Sequence, residues 1–137
     1  MDLTKRGTVL IVEDEPTVLA LAVSILEDFG YATLSAANAR EAMALIETET
    51  SVDILFTDLN IPDGPDGLDG LALAQAAREF RPDLRVLYTT GGGQTDGMTA
   101  LFVAGAGFLK KPYTQGRLVD AVDALLPHNA QRGMPTR

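Results

Sequence analysis

Short apolar runs alternate along the chain with stretches whose apolar residues recur every three or four positions. The runs are Val9–Val12, Thr33–Ser35, Val52–Thr57, Val86–Thr90 and Gly107–Leu109. The first and third read as continuous apolar strands, the pattern expected when both faces of a strand are covered. Val18, Ala22, Ile25 and Phe29 line one face of a first helix, with Pro16 suited to its first turn and Gly30 to its end. Asn38 and Glu41 form a capping-box-like pair ahead of Ala42, Met43 and Ile46. Leu73, Ala77 and Phe80 mark a third helix, stopped by Pro82. Met98, Leu101, Phe102 and Gly105 predict a short fourth helix; Leu118, Val122 and Leu125 predict a fifth, ended by Pro127. Five strand–helix alternations mean an α/β fold with a parallel sheet and helices on both faces.

In open α/β sheets the functional crevice lies at the carboxyl ends of the strands. The polar residues there are Glu13 and Asp14 after the first run, Asp58 after the third, Thr90 after the fourth and Lys111 after the fifth. If those strands are neighbours, these residues converge. Crowded carboxylates repel by about 4 kcal/mol per pair at 4 Å and an effective dielectric near 20. An oxygen-seeking divalent cation such as Mg²⁺ removes that conflict. Lys111 offers a compact charge for a phosphate oxygen, Thr90 a hydroxyl, and Gly91, Gly92 and Gly93 open backbone N–H groups. Asp58 offers a carboxylate able to attack phosphorus. Each feature alone fits an ordinary turn or strand end; their order along the chain points to phosphoryl transfer.

Composition narrows the partners. With 19 acidic against 11 basic residues and a formal net charge of −8, the chain lacks the basic face that nucleic acid or anionic lipid requires. There is no cysteine, and no apolar run reaches the roughly 20 residues of a membrane span. The expectation is a cytoplasmic domain over residues 1–127 with a flexible tail at 128–137, whose His128 is a tail residue.

The residues carrying this chemistry resemble the receiver domain of two-component response regulators, across about residues 7–127. "VLIVEDEP" resembles the family's first strand and acidic pair, "ILFTDLNIP" its phosphoacceptor strand, "VLYTTG" its switch strand and "FLKKPY" its Lys-Pro turn. The resemblance implies a flavodoxin-like (βα)5 fold with strand order 2-1-3-4-5. It implies that Asp58 accepts a phosphoryl group from a sensor histidine kinase or a phosphotransfer protein. It also implies Mg²⁺ on Glu13, Asp14, Asp58 and the backbone carbonyl of Asn60, with Glu13 acting mainly through a metal-bound water. Thr90 and Lys111 would contact the phosphoryl group, Thr90 and Phe108 would form the switch, and the Lys111–Pro112 peptide would be cis. Such a domain is not an ordinary enzyme but catalyses its own phosphorylation and dephosphorylation. Its output would be a protein target on the face of the fourth helix, fifth strand and fifth helix, near Ala104, Phe108 and Tyr113.

The chain departs from the family pattern in four places. The acidic pair is Glu-Asp, and the switch aromatic is Phe108 in place of tyrosine. The fourth strand runs into "GGG", and the loop after Asp58 carries about four extra residues before Asp69–Gly70, including Asp63 and Asp66 in Pro-Asp-Gly turns. A haloacid-dehalogenase-like Mg²⁺-dependent phosphatase is the main rival; it needs a second aspartate two residues after the nucleophile, where this chain has Asn60. A receiver-like interaction module that is never phosphorylated is the other; it keeps no need for all five polar residues.

Overall fold

The computed structural model describes residues 6–61, 69–91 and 100–126. Its strands are β1 (Thr8–Val12), β2 (Ala32–Ala36), β3 (Ile54–Asp58), β4 (Arg85–Thr90) and β5 (Gly107–Lys110). Its helices among the described residues are α1 (Pro16–Asp28), α2 (Ala39–Thr48), α3 (Gly70–Phe80) and α4 (Gln115–Leu125), the last being the fifth predicted helix. The strands form one parallel sheet in the order β2-β1-β3-β4-β5, the flavodoxin-like arrangement expected.

Alternate residues of each strand enter different cores. Leu10 and Val12 of β1 join Leu55, Val86 and Tyr88 under α2 and α3. Val9 and Ile11 join Ile54, Phe56 and Leu87 under α1 and α4. This double coverage explains why β1 and β3 read as unbroken apolar runs. Each fully buried Leu, Ile or Val contributes about 1.5–3 kcal/mol, so the two layers fix the register that aligns the strand ends. In that register Val12 pairs with Thr57, Asp58 with Thr89, and Thr90 with Lys110.

Helix starts follow local chemistry. Pro16 opens α1, and Asn38 Oδ1 accepts from Glu41 N–H at 2.8 Å at the start of α2. Glu41 Oε1 in return accepts from Ala37 N–H at 2.9 Å, so the reciprocal bond lands one residue earlier than the usual capping box. Thr114 caps α4 through Arg117 N–H at 3.1 Å. Gly30 takes φ +94° just after α1, a left-handed turn that glycine adopts without a Cβ penalty.

Three sequence expectations shift. Phe29 and Phe80 are exposed, because each stands where its helix ends and the chain turns away from the core. Leu26 replaces Phe29 on the buried face of α1. The predicted fourth helix is not formed in its described part: residues 100–106 make turns. Ala106 N–H donates to the Val103 carbonyl at 3.2 Å within this segment, and other backbone groups bond outside it. Gln75 Nε2 donates to the Leu101 carbonyl at 3.3 Å, Arg78 Nη2 to the Ala104 carbonyl at 3.1 Å, and Val103 N–H donates to the Tyr88 hydroxyl at 3.1 Å. Met98, Gly92, Gly93, Asp63, Asp66, Pro127 and His128 lie outside the described residues. No helix among the described residues is long and apolar enough to cross a membrane.

Candidate functional site

Asp58 closes β3, the central strand, and Glu13 follows β1 beside it. Their side chains are among the few buried charged groups, with the residues 6% and 5% exposed. Burial of two carboxylates is unfavourable unless each is hydrogen-bonded and a cation is near. Lys111 supplies the cation. Its Nζ lies 2.6 Å from Asp58 Oδ2 and 2.7 Å from Glu13 Oε1. Asp58 Oδ1 accepts from the Asn60 N–H at 2.9 Å, and Glu13 Oε2 accepts from the Glu15 N–H at 3.1 Å. Burial by itself lowers the Lys111 pKa; the hydrogen bonds and negative charges of Asp58 and Glu13 outweigh it and hold the ammonium above the ordinary lysine range. Lys111 reaches the site from a turn whose peptide to Pro112 is cis, as the resemblance implied.

Thr90 is buried at the end of β4, and its hydroxyl accepts from Asn60 Nδ2 at 3.0 Å. The structure therefore brings Glu13, Asp58, Asn60, Thr90 and Lys111 together through direct hydrogen bonds and ion pairs. Asp14, the residue after Glu13, is exposed. Among the described residues no three acidic, histidine or cysteine side chains converge into a ready metal cluster. The donors that do converge are carboxylate oxygens with no nitrogen or sulfur ligand among them. That set fits Mg²⁺, which typically takes one or two carboxylates and keeps its remaining waters. Glu15, the N-cap of α1, is exposed and makes no side-chain cap.

Gly70 has a role that sequence reasoning located only as part of Asp69–Gly70. A Cβ there would lie 2.3 Å from the Asp58 carbonyl oxygen and 2.7 Å from Leu59 Cα. Real Cβ atoms do not come so close, so only glycine lets the first turn of α3 sit on the Asp58 peptide. Asp69 caps that turn, accepting from Ala72 N–H at 2.9 Å, and Gly70 N–H donates to the Leu59 carbonyl at 3.3 Å. Asp69–Gly70 are thus tied to the backbone of Asp58 and Leu59.

Phe108 is half-buried on the α2–α3 side, stacked near Phe102 with ring centroids 6.0 Å apart. Tyr88, two residues before Thr90, packs on Phe102 at 4.2 Å. Tyr113 is half-buried against Phe56 on the opposite side of the sheet, so it and Phe108 do not share a layer. Ala104 is exposed.

Known proteins agree with this geometry. The family model for the response regulator receiver domain matches residues 9–123. The chain is 33% identical to sensor kinase CckA of Brucella abortus over 128 residues, which is 91% of this chain and 13% of that protein. It is 36% identical to response regulator protein PilR of Pseudomonas aeruginosa over 122 residues, covering 88% of this chain and 26% of that one. The chain therefore spans about a quarter or less of these two curated relatives. Among solved structures, a CheY-like response regulator receiver domain protein from Methanospirillum hungatei matches with TM-score 0.80 and 28% identity, over 93% of this chain and 98% of that one. The Asp58 strand end, its lysine and the five-stranded order all fit one assignment: this chain belongs to the response regulator receiver domain family of two-component systems.

Proposed function

We propose that Asp58 is the phosphoacceptor, and that it takes its phosphoryl group from a phosphohistidine on a sensor histidine kinase or a phosphotransfer protein. One observation carries this reading: a buried carboxylate at the end of the central strand is held on one oxygen by Lys111 at 2.6 Å and on the other by Asn60 N–H at 2.9 Å. That grip fixes the direction of attack, the positioning on which phosphoryl transfer chiefly depends. A carboxylate oxygen of Asp58 attacks phosphorus while the bond from phosphorus to the donor's imidazole nitrogen breaks, its electron pair remaining on nitrogen. Lys111 then turns its ammonium from carboxylate to phosphoryl oxygen, and the Thr90 hydroxyl supplies a further donor. Glu13, Asp14, Asp58 and the backbone carbonyl of Asn60 would hold Mg²⁺, which when bound supplies charge neutralisation on the phosphoryl oxygens. Residues 1–127 form the working unit in the cytoplasm, and residues 128–137 follow it as a tail. Thr90 and Phe108 carry the change to a protein partner that docks over the region of residues 100–113 and α4.

Incubation with a small acyl phosphate and Mg²⁺ tests the reading. One acid-labile phosphoryl group per chain is expected, absent in Asp58→Asn. Multiple-turnover hydrolysis of unrelated phosphomonoesters would instead make the protein a phosphatase.

A further inference from the structure

Asp58 has a polar neighbour that the site leaves unused. Asp58 pairs with Thr89 in the parallel register of β3 and β4. Asp58 stands two residues after Phe56 and Thr89 two after Leu87, so both point to the side of the sheet under α1 and α4. Thr89 is 2% exposed, and its hydroxyl oxygen is buried with no hydrogen-bond partner among the described residues. An unpaired buried hydroxyl is costly, and native folds rarely keep one without a water or a ligand to meet it.

A small cavity adjoins this hydroxyl. Thr89 lines it together with Glu13, Tyr113, Val18, Ala22 and Phe56, and about 10 Å³ within it is open to the centre of a water-sized sphere. That is room for one water molecule and for no larger ligand. Three of the lining residues carry a polar group: the hydroxyls of Thr89 and Tyr113 and the carboxylate of Glu13. A purely apolar cavity stays dry, whereas one with two to four polar partners holds its water. Glu13 has capacity for it. Its two oxygens accept from Lys111 and from the Glu15 N–H, and an ionised carboxylate has about four acceptor positions.

We propose that this cavity is a one-water site, in which a single internal water accepts from the Thr89 hydroxyl and donates to the Glu13 carboxylate. Thr89 is then a positioning residue: through the water it steadies the carboxylate that Lys111 already holds. The water itself needs neither Mg²⁺ nor phosphorylation. Its consequence for metal binding rests on the reading of Glu13 as part of the Mg²⁺ site.

Water-to-protein NOE and ROE spectra of the unphosphorylated, Mg²⁺-free protein read the site directly. Cross-peaks from a long-lived water to the Val18 and Ala22 methyls are expected in wild type and in Thr89→Ser. They should be lost in Thr89→Val, which keeps the shape of threonine without its hydroxyl. Absence of the cross-peaks in wild type would overturn the proposal. Their persistence in Thr89→Val would overturn it too, because the water would then not depend on Thr89. Mg²⁺ titration of the same three proteins reads the positioning role. Groups that hold a metal's ligands in place contribute to its affinity, and one hydrogen bond corresponds to about a threefold to tenfold change. Thr89→Val should bind Mg²⁺ more weakly by that factor, with Thr89→Ser close to wild type. Equal affinity in all three refutes the positioning role. Expected cross-peaks with no Mg²⁺ binding in any of the three refute the metal reading and the role built on it, and support the water site.

Discussion

The two ends of the sheet each hold an ion cluster, and they are built differently. At the amino end Arg6 Nη1 donates to both oxygens of Asp123 at 2.9 and 3.2 Å, and the Tyr31 hydroxyl donates to the same carboxylate. The Arg6 guanidinium also lies 5.6 Å from the Tyr31 ring centroid. One cation meets one anion, and a neutral phenol completes the set. At the carboxyl end one ammonium serves two carboxylates, Glu13 and Asp58. The amino end is closed electrostatically. The carboxyl end keeps an uncompensated negative charge in a buried place, and that excess is the physical invitation to a divalent cation. The contrast in charge balance separates the two clusters more sharply than burial does.

The largest test of the contrast removes Lys111. Lys111→Ala leaves two buried carboxylates facing each other, and breaking a buried pair in this way costs on the order of 3 kcal/mol. Urea denaturation should show that loss, and added Mg²⁺ should restore part of it by replacing the missing charge. Stability unchanged in Lys111→Ala would mean that the cluster is solvated enough to need no cation.

Gly70→Ala comes next. The new Cβ must move either α3 or the Asp58 peptide, a strain of about 1–3 kcal/mol. Phosphorylation should slow more in Gly70→Ala than in Leu73→Ala, a cavity in the same helix that leaves Asp58 alone. Equal slowing in the two would make Gly70 a packing residue only.

The smallest effect belongs to the closed end. Asp123→Asn removes a partly exposed pair, at about 1 kcal/mol, with phosphorylation unchanged. Its pH signature is more telling. Tyr31 is raised above its ordinary 10.0, first by burial and then by Asp123. A raised folded-state value means that the stabilisation is complete below the unfolded value and is lost as pH rises through the folded one. Lys111 behaves with the same sign from its ordinary 10.5. Stability should therefore decline above about pH 10 in wild type, and less steeply in Asp123→Asn. An identical alkaline decline in the two proteins would remove Asp123 from the account of Tyr31.

Much of this was legible in the chain. The alternation of runs set the element order, and Asn38 caps its helix as its spacing to Glu41 suggests, while the caps Asp69 and Thr114 became visible only in the structure. The polar ends of β1, β3, β4 and the turn after β5 meet because two-sided burial leaves the register little freedom. What escaped depends on geometry between distant segments. Arg6 and Asp123 are separated by 117 positions, and no local pattern links them. The fit of Gly70 on Asp58 depends on where the axis of α3 falls, and the Asn60–Thr90 bond on how the chain leaves β3. Phe29 and Phe80 obeyed helical spacing, but each lies where its helix unwinds, so periodicity placed them inward wrongly. The carboxyl end was readable as chemistry, while the sharing of one lysine by two acids needed coordinates.

The central claim is that unmatched charge at the carboxyl end makes the site. Titration of the uniformly ¹⁵N-labelled protein with Mg²⁺ tests it most directly. Amide shifts should centre on Glu13, Asp14, Asp58, Asn60 and Lys111, with the amides around Arg6, Tyr31 and Asp123 unmoved. Absence of saturable shifts at the first group, or shifts centred on the second, would contradict the account.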